Sequence, residues 1–146
     1  MSNPATVSFE TTLEVRDACV CLHLQRAARR VARRFDAALR PLGLTSGQFS
    51  LLMSLNRATP PHLGAVAALL AMDRTTLTAN LKPLARRGLV ETSPDEGDKR
   101  SRRLALTPAG RAVLAAAMPI WRAAHAATEN TVADASRLRA DLLTLS

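Results

Sequence analysis

The sequence predicts a mainly α-helical protein with one small β-hairpin. Apolar residues recur at helical spacing over most of the 146 residues, and the period shortens only between Leu89 and Thr107. Pro and Gly gather between the periodic runs, where they mark turns. With 47% apolar residues the chain is long enough for one substantial core, so a single domain over 1–146 is expected.

The elements follow in order. After a polar start to about residue 11, Cys21, Leu24, Ala28, Val31, Phe35, Ala38 and Leu42 alternate spacings of three and four, a near-heptad helical seam. Leu13 to Arg40 contains no Gly or Pro, which predicts one uninterrupted helix. Such a helix exceeds what one small core needs, so part of it is expected to pack on a second subunit. Pro41 and Gly43 close it, and Thr45 with Gln48 reads as a capping box opening the next helix. Phe49, Leu51, Leu52, Met53 and Leu55 make that helix apolar nearly all round, hence interior.

Thr59, Pro60 and Pro61 break the chain before a short helix from Leu63 to Leu70, whose Ala65, Val66, Ala67 and Ala68 suit tight helix packing. Asp73 then caps a helix from Arg74 to Arg87 that Gly88 ends, giving a helix-turn-helix candidate. Leu89–Thr92 and Arg103–Thr107 are strand candidates around a charged tip, Ser93–Arg102. Helix, turn, helix and basic hairpin is the order of a winged helix. Thr107, Pro108 and Gly110 open a long Ala-rich helix with Pro119 as a candidate kink, and a last helix spans Asp134 to Leu145. The predicted architecture is a winged helix-turn-helix over about 45–107, flanked by dimerisation helices over about 12–42 and 108–146.

The formal charge of +8 and a pI near 11.3 favour a polyanionic partner, either nucleic acid or an anionic membrane surface. Its distribution says more than its sum. One arginine cluster is Arg26, Arg29, Arg30, Arg33, Arg34 and Arg40; a second basic cluster is Arg74, Lys82, Arg86, Arg87, Lys99, Arg100, Arg102 and Arg103, on the helix-turn-helix and hairpin. No run approaches the roughly 20 apolar residues of a membrane span, and Asn3, Pro4 and Glu10 are unlike a signal peptide. A cytoplasmic protein without a membrane partner is expected. Cys19 and Cys21 are too close to staple a fold and are expected as reduced thiols. There is no nucleophile elbow, phosphate loop, metal-hydrolase motif or usefully spaced carboxylate pair, so neither an enzyme nor a cofactor is expected.

Several ordered motifs carry a resemblance: Leu42-Gly43-Leu44-Thr45 with Gln48 and Phe49; Asp73-Arg74-Thr75-Thr76-Leu77-Thr78; Arg87-Gly88-Leu89-Val90; and Asp95 through Asp98-Lys99-Arg100 to Leu106-Thr107-Pro108-Ala109-Gly110. Over Leu42 to Gly110 the chain resembles the MarR family of multiple-antibiotic-resistance-type regulators. The resemblance implies a homodimeric transcriptional regulator, expected as a repressor, on a pseudo-palindromic double-stranded DNA operator. It makes Arg74 to Arg87 the recognition helix, with Leu77, Leu81 and Leu84 inward and Arg74, Thr75, Thr78, Ala79 and Lys82 turned to the major groove, beside Arg86. Thr and Lys side chains suit base edges and phosphates there, and Ala allows close approach. In the family's wing an Asp-x-Arg element, here Asp98-Lys99-Arg100, has the Asp holding the Arg. Gly97 stands where many relatives carry a basic or bulkier residue, so Lys99, Arg100 or Arg102 is expected to make the tip contact. Pro83, late in the recognition helix, removes an N–H.

The same resemblance implies a small aromatic or phenolic acid bound between the dimerisation helices and the winged region, with His23, Arg26, Phe49, Met53 and Trp121 as candidate contacts. Cys21 falls at the position of the peroxide-sensing cysteine of the organic-hydroperoxide regulators. The tyrosines that contact that cysteine are replaced by Gln25 and Phe35, and the chain has no Tyr. Cys21 is therefore expected as a small buried hydrophobe, with redox sensing as the alternative. Cys19 and His23, four residues apart, share a helix face but make an incomplete metal site, and His62 and His125 have no ligand-spaced neighbours. No metal is expected.

Overall fold

The computed structural model describes residues 6–146. Its elements are α1 (Phe9–Ala18), α2 (Val20–Leu39), a 3₁₀ turn (Arg40–Leu42), α3 (Ser46–Ser54), α4 (Leu63–Leu69), α5 (Arg74–Arg86), β1 (Val90–Pro94), β2 (Arg102–Leu106), α6 (Pro108–Glu129) and α7 (Ala135–Leu145). The mainly helical fold with one antiparallel hairpin agrees with the sequence.

Four helix starts follow directly from side-chain chemistry. Thr45 accepts from the Gln48 N–H while the Gln48 side chain accepts from the Thr45 N–H, the predicted capping box. Asp73, Thr107 and Asp134 cap α5, α6 and α7 through their side-chain oxygens. The expected single helix from Leu13 to Arg40 is corrected. Helix starts earlier, at Phe9 behind the Ser8 cap, and breaks at Cys19, whose backbone is extended with ψ 107°. The Cys19 sulfur accepts from the Leu22 N–H at 3.4 Å, so a thiol does the capping normally done by Ser or Asp. No residue of α1 is buried, and thus no core contact holds it in line with α2.

The first strand starts one residue and ends two residues later than predicted, the second lies one residue earlier, and they pair from Val90↔Leu106 to Pro94↔Arg102. A third edge was not foreseen. The Pro61 carbonyl accepts from the Leu104 N–H at 3.0 Å, and His62 bridges to Arg103. Proline lacks an N–H but keeps its acceptor, so it is tolerated at such an edge.

Leu39 of α2, Leu52 of α3, Val66 of α4, Leu77 and Leu84 of α5, Leu104 of β2 and Ala117 of α6 are fully buried in one cluster. The prolines inside α5 and α6, Pro83 and Pro119, each deprive a carbonyl four residues earlier of its helical donor. Those carbonyls belong to Ala79 and Ala115, both exposed residues, where solvent can replace the lost bond. Neither proline ends its helix. At the two ends of the chain the apolar side chains are left outside: Phe9, Val15 and Val20, then Leu138, Leu142, Leu143 and Leu145, are all exposed.

One joint fixes how α6 leaves the hairpin. The Thr107 hydroxyl donates to the Gly88 carbonyl and accepts from the Gly110 N–H, while the Thr107 N–H donates to the Leu89 carbonyl at 3.1 Å. Gly88 has φ +70°, a left-handed turn suited to glycine. A Cβ on Gly110 would stand 2.0 Å from the Leu89 carbonyl oxygen, backbone that cannot rotate away. Gly110→Ala should therefore destabilise the protein by about 3 kcal/mol or more, as overpacking against rigid atoms does. Urea denaturation checks this, and an unchanged midpoint would show that α6 is free to shift on the hairpin.

Candidate nucleic-acid interface

Helix α5 is built with two chemically distinct sides. Leu77, Leu81 and Leu84 recur at spacings of four and three and are buried, while Arg74, Thr75, Thr78, Ala79, Lys82 and Arg86 are exposed. Asp73 sets the start. Its carboxylate accepts from the Thr76 N–H at 2.7 Å and from the Thr76 hydroxyl at 2.8 Å, and these bonds hold it below the usual carboxylate range. The Thr78 hydroxyl donates to the Arg74 carbonyl at 2.8 Å, so it offers solvent a methyl group and oxygen lone pairs. The Arg74 guanidinium lies over Gly64 of α4, so α4 supports the first turn of α5.

The hairpin tip differs from its prediction in one respect. Asp98 does not hold the Arg100 side chain; its carboxylate accepts from the Arg100 backbone N–H at 3.0 Å. A carboxylate in a tight turn reaches the amide two residues on before it reaches a long side chain. The ion pair of the hairpin is instead Asp95 with Arg103, Nε to Oδ1 2.7 Å, and the same guanidinium donates to the Pro60 carbonyl at 2.6 Å. Sequence reading missed this pair, although acid and base across a two-strand hairpin was the available signal. With Arg103 occupied, Lys99, Arg100 and Arg102 remain exposed and make no ion pair among the described residues.

The five candidate ligand contacts do not share one cavity. His23 and Arg26 line a cavity of about 590 Å³ between α2, α6 and α7, with Val31, Glu129, Leu138 and Leu142. Phe49 and Trp121 stack with centroids 6.1 Å apart and line other, smaller grooves, one of them with Met53. His125, absent from the prediction, joins the two regions. It stacks on Trp121 at 4.5 Å, lies 2.9 Å from Glu129 and lines the larger cavity. Its spacing of four from both Trp121 and Glu129 was the signal. Arg139 of α7 and then His125 hold the Glu129 carboxyl below its ordinary range.

Cys21, expected as buried, is exposed on the single chain, with the Gln25 amide donating to its sulfur at 3.5 Å. Farther along the seam Val31, Phe35, Ala38 and Leu42 are half-buried where α2 packs on α3 and α6, and Cys21 lies beyond that cover. The His23 ring meets the Cys19 carbonyl at 2.7 Å, and the Cys19 sulfur serves as a cap. Among the described residues no group of three or more His, Cys, Asp or Glu is placed to hold a metal ion, and no helix is long and apolar enough to cross a membrane.

The sequence pattern of the MarR family matches residues 42–101. The transcriptional activatory protein BadR of Rhodopseudomonas palustris is 33% identical over 93 residues, which cover 62% of this chain and 53% of BadR. The chain thus spans about half the length of that relative. The transcriptional regulator MosR of M. tuberculosis, solved in complex with DNA, is 40% identical with a TM-score of 0.81, covering 87% of this chain and 92% of MosR. The transcriptional repressor CouR, bound to a 23-mer DNA duplex, is 30% identical with a TM-score of 0.73, covering 90% of this chain and 92% of CouR; CouR from Rhodococcus jostii RHA1 has also been solved with p-coumaroyl-CoA.

The Asp95–Arg103 pair gives the hairpin a pH dependence. Arg103 chiefly holds the Asp95 carboxyl below its ordinary 3.8. Because the native value lies below the unfolded one, the pair contributes fully above the unfolded value and is lost as pH falls through the depressed native value. Protection of the Lys99–Arg102 amides from hydrogen exchange should hold steady down to about pH 5 and then decline. Asp95→Asn should show weakened protection at neutral pH and no acid step; identical profiles for the two proteins would mean the pair does not brace the tip.

Proposed function

Because this chain belongs to the MarR family of winged helix-turn-helix transcriptional regulators, we propose that it binds an operator as a homodimer and releases it on binding a small aromatic or phenolic acid. The observation that carries the DNA reading is the sidedness of α5. Three buried leucines anchor the helix, and its outer face presents Arg74, Thr75, Thr78, Ala79, Lys82 and Arg86 next to a hairpin with free cations. In this reading α5 enters the major groove, where Thr78 and Lys82 meet base edges and Ala79 permits close approach. Lys99, Arg100 and Arg102 meet the backbone and adjoining minor groove, with Asp98 shaping their turn. The DNA complexes of MosR and CouR support this.

The homodimer rests on the exposed apolar residues of α1 and α7, which a second copy would cover. Two copies related by a twofold axis would read half-sites about 10 bp apart, hence a pseudo-palindrome. We read the protein as a repressor, as CouR is described, while BadR is described as an activator.

For the effector, the cavity of about 590 Å³ lies within the size range of ligand pockets and joins apolar walls with His23 and Arg26, suited to an aromatic anion. Phe49, Met53 and Trp121 line the adjoining grooves, and the p-coumaroyl-CoA complex of CouR supports an aromatic effector. A ligand acts by binding the DNA-competent and incompetent arrangements unequally. The exposure of the Cys21 thiol favours a second reading, oxidation in place of ligand binding.

Lys82→Ala and Thr78→Ala should each cost ~1–3 kcal/mol of operator binding with little change in melting temperature. Arg100→Ala should weaken binding to all sequences alike and flatten the dependence on salt. Fluorescence anisotropy on a selected operator measures all three, and three variants that bind like the wild type would refute the assigned face. The two release mechanisms separate on Cys21→Ser. Release by p-coumarate or another aromatic acid in both proteins, with peroxide inert, supports the ligand; peroxide release that vanishes in the variant assigns sensing to the thiol.

A further inference from the structure

His62 stands where the helix-turn-helix meets the hairpin. Its carbonyl accepts from the N–H groups of Ala65 at 3.1 Å and Val66 at 3.2 Å, so its backbone opens α4. The half-buried imidazole takes no part in that cap. Instead Nδ1 lies 3.0 Å from the Ser101 hydroxyl. Ser101 is the residue that closes the hairpin loop: its N–H donates to the Asp98 carbonyl at 2.9 Å, and its carbonyl accepts from the Asp95 N–H at 3.1 Å. Lys99 and Arg100 sit inside that loop and Arg102 directly follows it.

The neighbouring bonds from this segment, Pro61 to Leu104 and Pro60 to Arg103, use backbone carbonyls that any residue could supply. Proline side chains cannot hydrogen-bond, so among residues 60–62 the imidazole supplies the side-chain bond to the loop. From this geometry we infer that His62 is a positioning residue for the wing: it straps the loop bearing Lys99 and Arg100 to the start of α4, so that the basic tip and α5 face DNA at a fixed angle. The inference rests on the DNA reading above and adds to it a residue outside the DNA-facing set. The strap needs no contact between His62 and DNA.

The test is a double-mutant cycle of His62→Ala and Ser101→Ala, on a duplex that the wild type selects from a random-sequence library. Each single variant should bind roughly 2- to 10-fold more weakly, the range one net hydrogen bond allows. The double variant should be no weaker than the worse single one. His62→Asn, whose amide can stand where Nδ1 stood, should recover most of the affinity. Hydroxyl-radical protection of the minor groove should fade in His62→Ala while methylation interference in the major groove persists, a split that general loss of folding would not produce. Additive losses in the cycle, no rescue by Asn, or a His62→Ala protein that binds as tightly as the wild type would overturn the strap alone. A wild type that selects no duplex would overturn the DNA reading and the strap together.

Discussion

The Leu89 carbonyl is the point on which the assembly turns. It accepts the Thr107 N–H and lies against Gly110 so closely that no β-carbon fits between them. Three elements converge there: the end of α5 through Gly88, the first strand, and the start of α6. Since the contact is backbone to backbone, its geometry does not depend on side-chain rotamers. That rigidity aligns Leu84, Leu89, Leu104, Leu106 and Leu114 into one buried cluster, and through the cluster it sets the hairpin beside α5.

Charge on this frame is left unpaired in two places, on the arginines of α2 and on the outer side of α5 and the hairpin. The ion pairs among the described residues lie within α1, at the loop end of the hairpin and on α6 and α7. Arg74, Lys82, Arg86, Lys99, Arg100 and Arg102 have none, so these cations stand unpaired on the outer side of α5 and the hairpin. Such a surface attracts a polyanion over a Debye length, roughly 8–10 Å at physiological salt. A second line of contacts runs away from it. Phe49 stacks on Trp121, Trp121 on His125, and His125 and Arg139 share Glu129, joining α3, α6 and α7. This line borders both the larger cavity and the smaller grooves.

Much of the fold was legible because its determinants are local. Thr45 with Gln48, Asp73, Thr107 and Asp134 announce helix starts through bonds spanning three residues, and the 77, 81, 84 spacing declares the inward side of α5. What escaped depends on residues distant in sequence or on unusual donors and acceptors. The break at Cys19 hides because a sulfur replaces the familiar oxygen cap and neither Gly nor Pro marks it. The extra edge at Pro61 hides because prolines signal a break, whereas here the carbonyl is what matters. The candidate ligand contacts separated because His23 and Arg26 lie toward the start of α2, beside α7, whereas Phe49 meets the later part near Phe35. Cys21 was expected inside because the whole seam was read as covered, whereas α3 and α6 half-bury only its later part and leave Cys21 exposed.

Arg87, at the end of α5, donates from one guanidinium nitrogen to the Gly43 carbonyl at 2.8 Å and from the other to the Leu42 carbonyl at 3.0 Å. Those carbonyls belong to the corner where α2 gives way to α3. A single hydrogen bond there would act as a swivel, leaving each helix free to twist about it. A planar fork gripping two successive carbonyls is a strut: it resists torsion as well as separation. The long helix α2 and the helix α5 are thus braced at a shared corner, and a turn imposed on one is delivered to the other as rotation.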